Sequence, residues 1–139
     1  MSRERLLILG TGFGAFALLR GIDRRAYDVT VVSPRNHFLF TPLLPSTSVG
    51  TLEFRTVVEP IRSRQPGQQF LLGKGMEIDI PGQRVRCRSV LCDTEWDQPF
   101  DLLVVAVGCV PATFGVPGVE QHAIFLKEID DARRIRQTL

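Results

Sequence analysis

Arg5-Leu-Leu-Ile-Leu-Gly10-Thr-Gly12-Phe13-Gly14-Ala15-Phe-Ala-Leu-Leu19 is the stretch whose reading decides the fold. Apolar residues run into a glycine-rich turn and an Ala/Leu-rich segment follows, which is the order strand, tight turn, helix. Gly10 permits the sharp turn, Gly12 lets backbone amides come near a pyrophosphate, and Ala15 is small enough for the helix to lie close to the strand. The first turn of such a helix offers N–H groups without helical partners and a partial positive charge, an anion site worth about 0.3–2 kcal/mol. The pattern points to a dinucleotide whose pyrophosphate meets Gly10, Gly12, Phe13, Gly14 and Ala15. An ordinary strand-turn-helix is the plainer alternative.

The rest of the composition sets bounds. A chain of 139 residues with 44% hydrophobic and 23% charged residues suits one globular domain, and no apolar run approaches the roughly 20 residues of a membrane helix. Arg3, Glu4 and Arg5 lead straight into the first strand, so neither a signal nor a transit peptide is expected and the protein reads as intracellular. A formal net charge of +2 is too small to argue for nucleic acid. Cys87, Cys92 and Cys109 form an odd set without a CxxC, and no metal site is indicated. The Cys87-x4-Cys92 spacing and Gly108-Cys109-Val110-Pro111 echo flavin-linked disulfide reductases in separate fragments. A redox pair needs its partners together, so Cys87 reads as a small hydrophobe.

Further along, Phe13 to about Arg24 has helical spacing and Asp28 to Val32 is a β-branched second strand, completing a βαβ unit. The residue closing that strand usually carries a carboxylate for the ribose hydroxyls. Ser33-Pro34-Arg35 stands there instead, a hydroxyl and an arginine that suit a 2′-phosphate, so NADPH competes with FAD at this point; a Pro-stiffened loop with a solvated arginine is the simpler reading. Residues 36–51 form a long connection unusually rich in Phe and Leu, fit to pack over something flat and apolar. His37 reads as a packed side chain. Thr56 to Glu59 fits a capping box, with Phe54, Val57, Val58 and Ile61 at helical spacing.

Phe70-Leu-Leu suits a third parallel strand whose end, at Lys74-Gly75-Met76, would border an adenine. Met76, Ile78 and Ile80 alternate with Glu77 and Asp79. Val85 and Cys87 then alternate with Arg84, Arg86 and Arg88, a strand with one wet face and no aromatic platform for nucleic acid. A strand over about Thr94–Phe100 would complete a β-meander inserted at about 76–100. Asp101 to Gly108 is a nearly continuous apolar run, as for a strand covered on both sides, and Phe125 to Arg136 closes the chain with a helix.

The run Val31-Val-Ser-Pro-Arg-Asn-His-Phe-Leu-Phe-Thr-Pro-Leu-Leu-Pro45, continuing through Val49-Gly50-Thr51 to Val58-Glu59-Pro60-Ile61, resembles the opening of type II, non-proton-pumping NADH dehydrogenases, above all their mitochondrial-type members. Ala106-Val107-Gly108, Thr113 to Gly118 and Phe125 to Arg136 resemble the same family, which is related to the apoptosis-inducing-factor-like and sulfide:quinone flavoproteins. The resemblance implies that the first dinucleotide fold holds FAD, moving the choice at Ser33, Pro34 and Arg35 from NADPH to the adenosine half of FAD. It places Thr41 and Pro42 near the isoalloxazine, and Ala106 and Gly108 at a second cofactor-proximal turn. Gly75 would add a backbone contact.

The expected fold is therefore α/β: a Rossmann-like parallel sheet of the FAD/NAD(P)-binding type with an inserted β-meander, ending before an NADH-binding domain. Residues 1–139 would be the partial N-terminal FAD-binding domain of a respiratory-chain flavoprotein. The complete enzyme would pass electrons from its substrate NADH through FAD to a membrane quinone. The resemblance implies a homodimeric parent, peripheral on the inner membrane, bacterial cytoplasmic or mitochondrial. The chain alone would not turn over, and no catalytic side chain is nominated because FAD itself carries the redox chemistry. A freestanding NAD(P)- or FAD-binding module and an inert truncated product are the alternatives.

Overall fold

The computed structural model describes residues 3–61 and 68–139. The chain forms two compact units, one of Met1–Phe38 and Pro60–Gly108, the other of Leu39–Glu59 and Cys109–Leu139.

In the first unit, β1 (Glu4–Leu9), β2 (Tyr27–Ser33), β5 (Gln68–Asp79), β6 (Arg84–Ser89), β7 (Glu95–Pro99) and β8 (Leu102–Val105) make one six-stranded sheet. Its order is β7-β6-β5-β2-β1-β8, with β1 parallel to both β2 and β8 and β2 parallel to the start of β5. The helix α1 (Phe13–Gly21) follows the glycine turn as expected, but it stops three residues short of Arg24 where Ile22 turns extended. Side chains alternate along β1. Leu6 and Ile8 join Ala15 and Leu19 of α1 with Val29 and Val31, while Leu7 and Leu9 face the other way, onto Val32, Val85, Cys87 and Phe100. The apolar run of β1 is thus buried on both faces, by α1 on one side and by the sheet's own antiparallel arm curling back on the other.

That arm is where the sequence expectation needs correcting. The third parallel strand does not end at Gly75: β5 runs unbroken for 12 residues, pairing with β2 as far as Leu72 and with β6 from Gly73 onward. The meander is a continuation of the parallel sheet, with a register shift between Gly75 and Glu77. Gly73 is required where the arm curls, whereas a side chain at Gly75 would make only ordinary contact. A Cβ on Gly73 would lie 2.5 Å from the Trp96 ring, and one on Gly75 would lie 3.4 Å from both Leu9 and Val85. Met76, Ile78 and Ile80, which alternate with Glu77 and Asp79 in the sequence, are exposed, and a register shift falls between Gly75 and Glu77. Val85 and Cys87 are buried as expected, and Arg84, Arg86 and Arg88 sit on the wet face, each paired with a carboxylate of a neighbouring strand: Asp79, Glu77 and Glu95.

The run Asp101 to Gly108 also differs from its reading. Only Leu102–Val105 is strand, and β8 is the sheet edge, with Leu102 and Val105 exposed. Arg5 on β1 anchors its start, with its side-chain Nη2 2.6 Å and its backbone N–H 2.7 Å from the Asp101 carboxylate.

In the second unit, the apolar connection is not a plain loop: Thr41–Leu43 is a 3-10 turn and α2 (Leu44–Ser48) follows. The expected helix around Thr56 is absent. Phe54–Val57 is a 3-10 turn leading into β4 (Val58–Pro60), because Pro60 disfavours helical backbone at Glu59 and Val57 and Val58 are β-branched. Thr56 donates its hydroxyl to the Glu53 carbonyl and caps nothing. β3 (His37–Leu39) and β4 form a two-stranded sheet. After the short α3 (Val119–His122), α4 (Ile129–Thr138) starts four residues later than its pattern suggests. Asp131 sets that start, accepting the backbone N–H groups of Lys127 and Glu128 at 2.9 and 2.8 Å. Leu39, Leu44, Val57 and Ala132 form the core of this unit.

Candidate functional site

Three short segments of the first unit meet at the C-terminal end of its parallel strands. β1 delivers Gly10 to Ala15, β2 delivers Ser33 to Arg35, and β8 delivers Ala106 to Gly108. Gly10 has φ +105° and its N–H donates to the Val32 carbonyl at 2.9 Å, so the turn is tied to the neighbouring strand as it begins. A Cβ on Gly10 would lie 2.3 Å from the Ala106 carbonyl oxygen, and one on Gly14 would lie 3.8 Å from the Ala106 Cβ. Gly12, the N-cap of α1, has open space where its side chain would be. The helix start carries neither a side-chain cap nor an acidic residue in its first turn. A positive helix end with room for an anion is the result. Phe13 is half-exposed and meets the buried Phe38 edge-on at 4.9 Å, with Phe16 stacked on the same ring at 4.1 Å.

The middle residue of the turn, Thr11, was not singled out from the sequence. Its side chain is buried, lies 3.2 Å from the Ser33 hydroxyl and donates to the Arg35 carbonyl at 3.1 Å. Arg35 N–H in turn donates to Ser33 Oγ at 3.2 Å. The available signal was a hydroxyl between two glycines, opposite a strand closed by serine where a carboxylate is usual. Pro34 is exposed and Arg35 half-buried. Gly75 lies in mid-strand with its backbone exposed, and Gly108 has φ +73° with nothing near its Cβ position.

Residues 4–139 match the profile of the family described as pyridine nucleotide-disulphide oxidoreductase. The chain belongs to that family. Among its relatives, the external alternative NADH-ubiquinone oxidoreductase of Yarrowia lipolytica mitochondria is 46% identical over 147 residues, spanning 99% of this chain and 25% of the relative. The external NADH-ubiquinone oxidoreductase 2 of Saccharomyces cerevisiae mitochondria is 47% identical over 145 residues, spanning 100% of this chain and 27% of the relative. The solved structure of NDH2 from Plasmodium falciparum in complex with NADH superposes with a TM-score of 0.89 at 37% identity, over 97% of this chain and 28% of that one. The chain thus spans about a quarter of the length of the curated relatives it matches. These relatives agree with the resemblance to type II NADH dehydrogenases, and the curled mixed sheet is the fold of this oxidoreductase family.

For a pyridine nucleotide-disulphide oxidoreductase, the placement of its cysteines matters. All three are free. Cys87 lies inside the sheet, and burial, with the charge of Asp97 second, pushes its thiol up to about 11. Cys92 is exposed, and hydrogen bonds to the Ser89 and Thr94 hydroxyls bring its thiol below the usual range. One thiol is inert and the other accessible, which is no dithiol pair. Cys109 belongs to the second unit and lies 3.3 Å from Lys127 Nζ. In that unit Thr41 is half-buried at the head of the 3-10 turn and Pro42 is exposed. Leu44 enters the core of the unit, whereas Phe40 and Leu43, flanking Thr41 and Pro42, stay exposed. Among the described residues no cluster of metal-ligating side chains occurs, and no helix is long and apolar enough to cross a membrane.

Proposed function

We propose that this chain is the FAD-binding part of an NADH:quinone oxidoreductase. The observation that carries the reading is the approach of Gly10 and Gly14 to Ala106 beside an open Gly12, at a helix start that lacks both a side-chain cap and an acidic residue. A Cβ would fill the open space at Gly12, so the residues present fit a pyrophosphate. In this reading the backbone of Gly10, Gly12, Phe13, Gly14 and Ala15 holds the pyrophosphate. Ser33, Pro34 and Arg35 line the adenosine end, while Gly75, Ala106 and Gly108 offer backbone contacts. Thr41 and Pro42 belong to the isoalloxazine end, which the exposed Phe40 and Leu43 beside them support as an apolar surface for a planar ring.

Bound FAD would supply the two-electron chemistry, taking reducing equivalents from NADH and passing them to a membrane quinone, as the names of the relatives suggest. The residues of this chain bind, orient and shield; none donates or removes a proton. The parent protein is proposed to be a peripheral homodimer on the inner membrane, mitochondrial by its relatives. By itself the 139-residue chain is proposed not to turn over, since it carries a single glycine motif. Titrating the purified chain with FAD should quench flavin fluorescence at a one-to-one ratio. Absence of binding by calorimetry would refute the proposal. Mixing chain, FAD, NADH and a soluble quinone should give no sustained NADH oxidation, and steady turnover would refute the inactive reading.

A further inference from the structure

Cys109 and Lys127 meet across 18 positions of the chain, where Lys127 Nζ donates to Cys109 Sγ at 3.3 Å. Both belong to the second unit, and neither is among the residues assigned to FAD. The lysine is held in place. Leu126 before it and Ile129 after it pack on the core of that unit, and its backbone N–H donates to the Asp131 carboxylate at 2.9 Å. Its side chain is half-buried, and although Glu128, Asp130 and Asp131 follow directly in sequence, its ammonium points at the sulfur. Cys109 is an exposed free thiol, open to a small solute.

A thiol oxidised to a sulfenic acid condenses with a nucleophile beside it, either a second thiol or a nitrogen. Here the neighbour is an amine, and a sulfur-nitrogen separation of 3.3 Å is that of reacting atoms already in contact. We infer that Cys109 and Lys127 form a peroxide-responsive pair that closes into a covalent sulfur-nitrogen bridge. Hydrogen peroxide transfers one oxygen to the thiol, giving the sulfenic acid and one water. Lys127 releases a proton to solvent and attacks the sulfenic sulfur as the free amine. The S–N bond forms, the S–O bond breaks, and the hydroxyl leaves with a proton from nitrogen as a second water. Thiol, amine and peroxide thus give a sulfenamide and two waters, and sulfur loses the two electrons that the peroxide gains. A small dithiol reverses the step, returning thiol and amine while becoming a disulfide itself. The bridge clips the segment that carries the exposed Val110, Phe114 and Val116 to the residues just before α4.

The test treats the full-length Cys92→Ser chain with hydrogen peroxide near neutral pH and reads its intact mass. The replacement removes the other exposed thiol, so that a disulfide, which loses the same two hydrogens, does not compete. The chain should lose about 2 Da and regain it on addition of a dithiol. Trypsin should no longer cut after Lys127, and the bridged peptides should join residues 109 and 127. Adding Lys127→Arg, which keeps the charge but not the amine, should abolish the loss and leave a gain of about 16 Da that dimedone captures at Cys109. Adding Cys109→Ser should abolish both changes. Should Lys127→Arg fold poorly, peptide mapping of the Cys92→Ser chain decides by itself, a bridge from Cys109 to any other residue overturning the inference. Loss of about 2 Da with Lys127→Arg in place would overturn it, as would a sulfenic acid at Cys109 that persists equally with and without Lys127. None of these outcomes bears on the FAD reading, which the flavin titration tests separately.

Discussion

Gly10 and Ala106 meet backbone to backbone: a Cβ on Gly10 would sit 2.3 Å from the Ala106 carbonyl oxygen, closer than any real Cβ contact. Residues 96 positions apart thus share one spot, because β1 and β8 are parallel neighbours that end together, with Leu9 opposite Val105. The Ala106 N–H donates to the Leu9 carbonyl at 2.9 Å and closes the approach. A glycine turn is needed here for packing.

Gly10 and Gly12 therefore separate fold from binding. Gly10→Ala meets both a backbone overlap and φ +105°, and should destabilise the chain by about 2 kcal/mol or more in urea unfolding. Gly12→Ala has open space and should cost less than about 1 kcal/mol, yet on the proposed FAD reading it should weaken FAD binding at least roughly tenfold by filling that space. Equal losses of stability for the two variants would contradict this division.

Asp101 contributes to the acid limb of stability. Hydrogen bonds from the Arg5 side chain and then its backbone hold the Asp101 carboxyl down at about 2. A carboxylate depressed in the folded state stabilises above its unfolded value of about 3.9, and that contribution fades as pH falls toward about 2. Asp101→Asn should flatten the loss of stability between these pH values, read as the urea midpoint against pH. Arg5 keeps its charge throughout, its own pKa being raised by the same side-chain bond.

The cysteines should differ in reactivity. Treated with a maleimide at neutral pH, the folded chain should modify at the exposed Cys92 and Cys109, and Cys87 should react only after unfolding. Intact mass and peptide mapping give the count. Rapid labelling of Cys87 in the folded state would mean that the antiparallel arm does not stay closed over Leu7 and Leu9.

Asp131 supports α4 from within the helix's own first turn. Replacing it by Ala removes the acceptor for Lys127 and Glu128 and should cost about 1 kcal/mol, seen as a lower thermal midpoint in circular dichroism. Glu128→Ala should cost a similar amount, and the pair should fall short of additivity because both act in one capping box.

Local chemistry made much of this protein legible before any fold was known. The strand-turn-helix at Gly10 and the β-branched second strand depend on glycine conformation and on side-chain period, which neighbouring residues settle among themselves. The alternation of Val85 and Cys87 with the arginines was readable for the same reason. Period alone failed where long-range pairing intervened. Glu59 and Thr56 look like a capping box, but Pro60 and two valines leave that segment a 3-10 turn running into a short strand. Met76 to Ile80 alternate correctly, yet a register shift leaves their apolar side chains in water.

What the amino-acid order determined by itself was the βαβ core and the placement of glycine where backbone must come close, since steric permission is a property of each residue. Tertiary structure alone decided that β5 would carry straight into the meander, that Trp96 would fold beneath Gly73, and that Thr11 would reach Ser33 and Arg35. Those outcomes depend on which strands lie side by side and at what register, and contacts between residues far apart in the chain exist only once the sheet has closed.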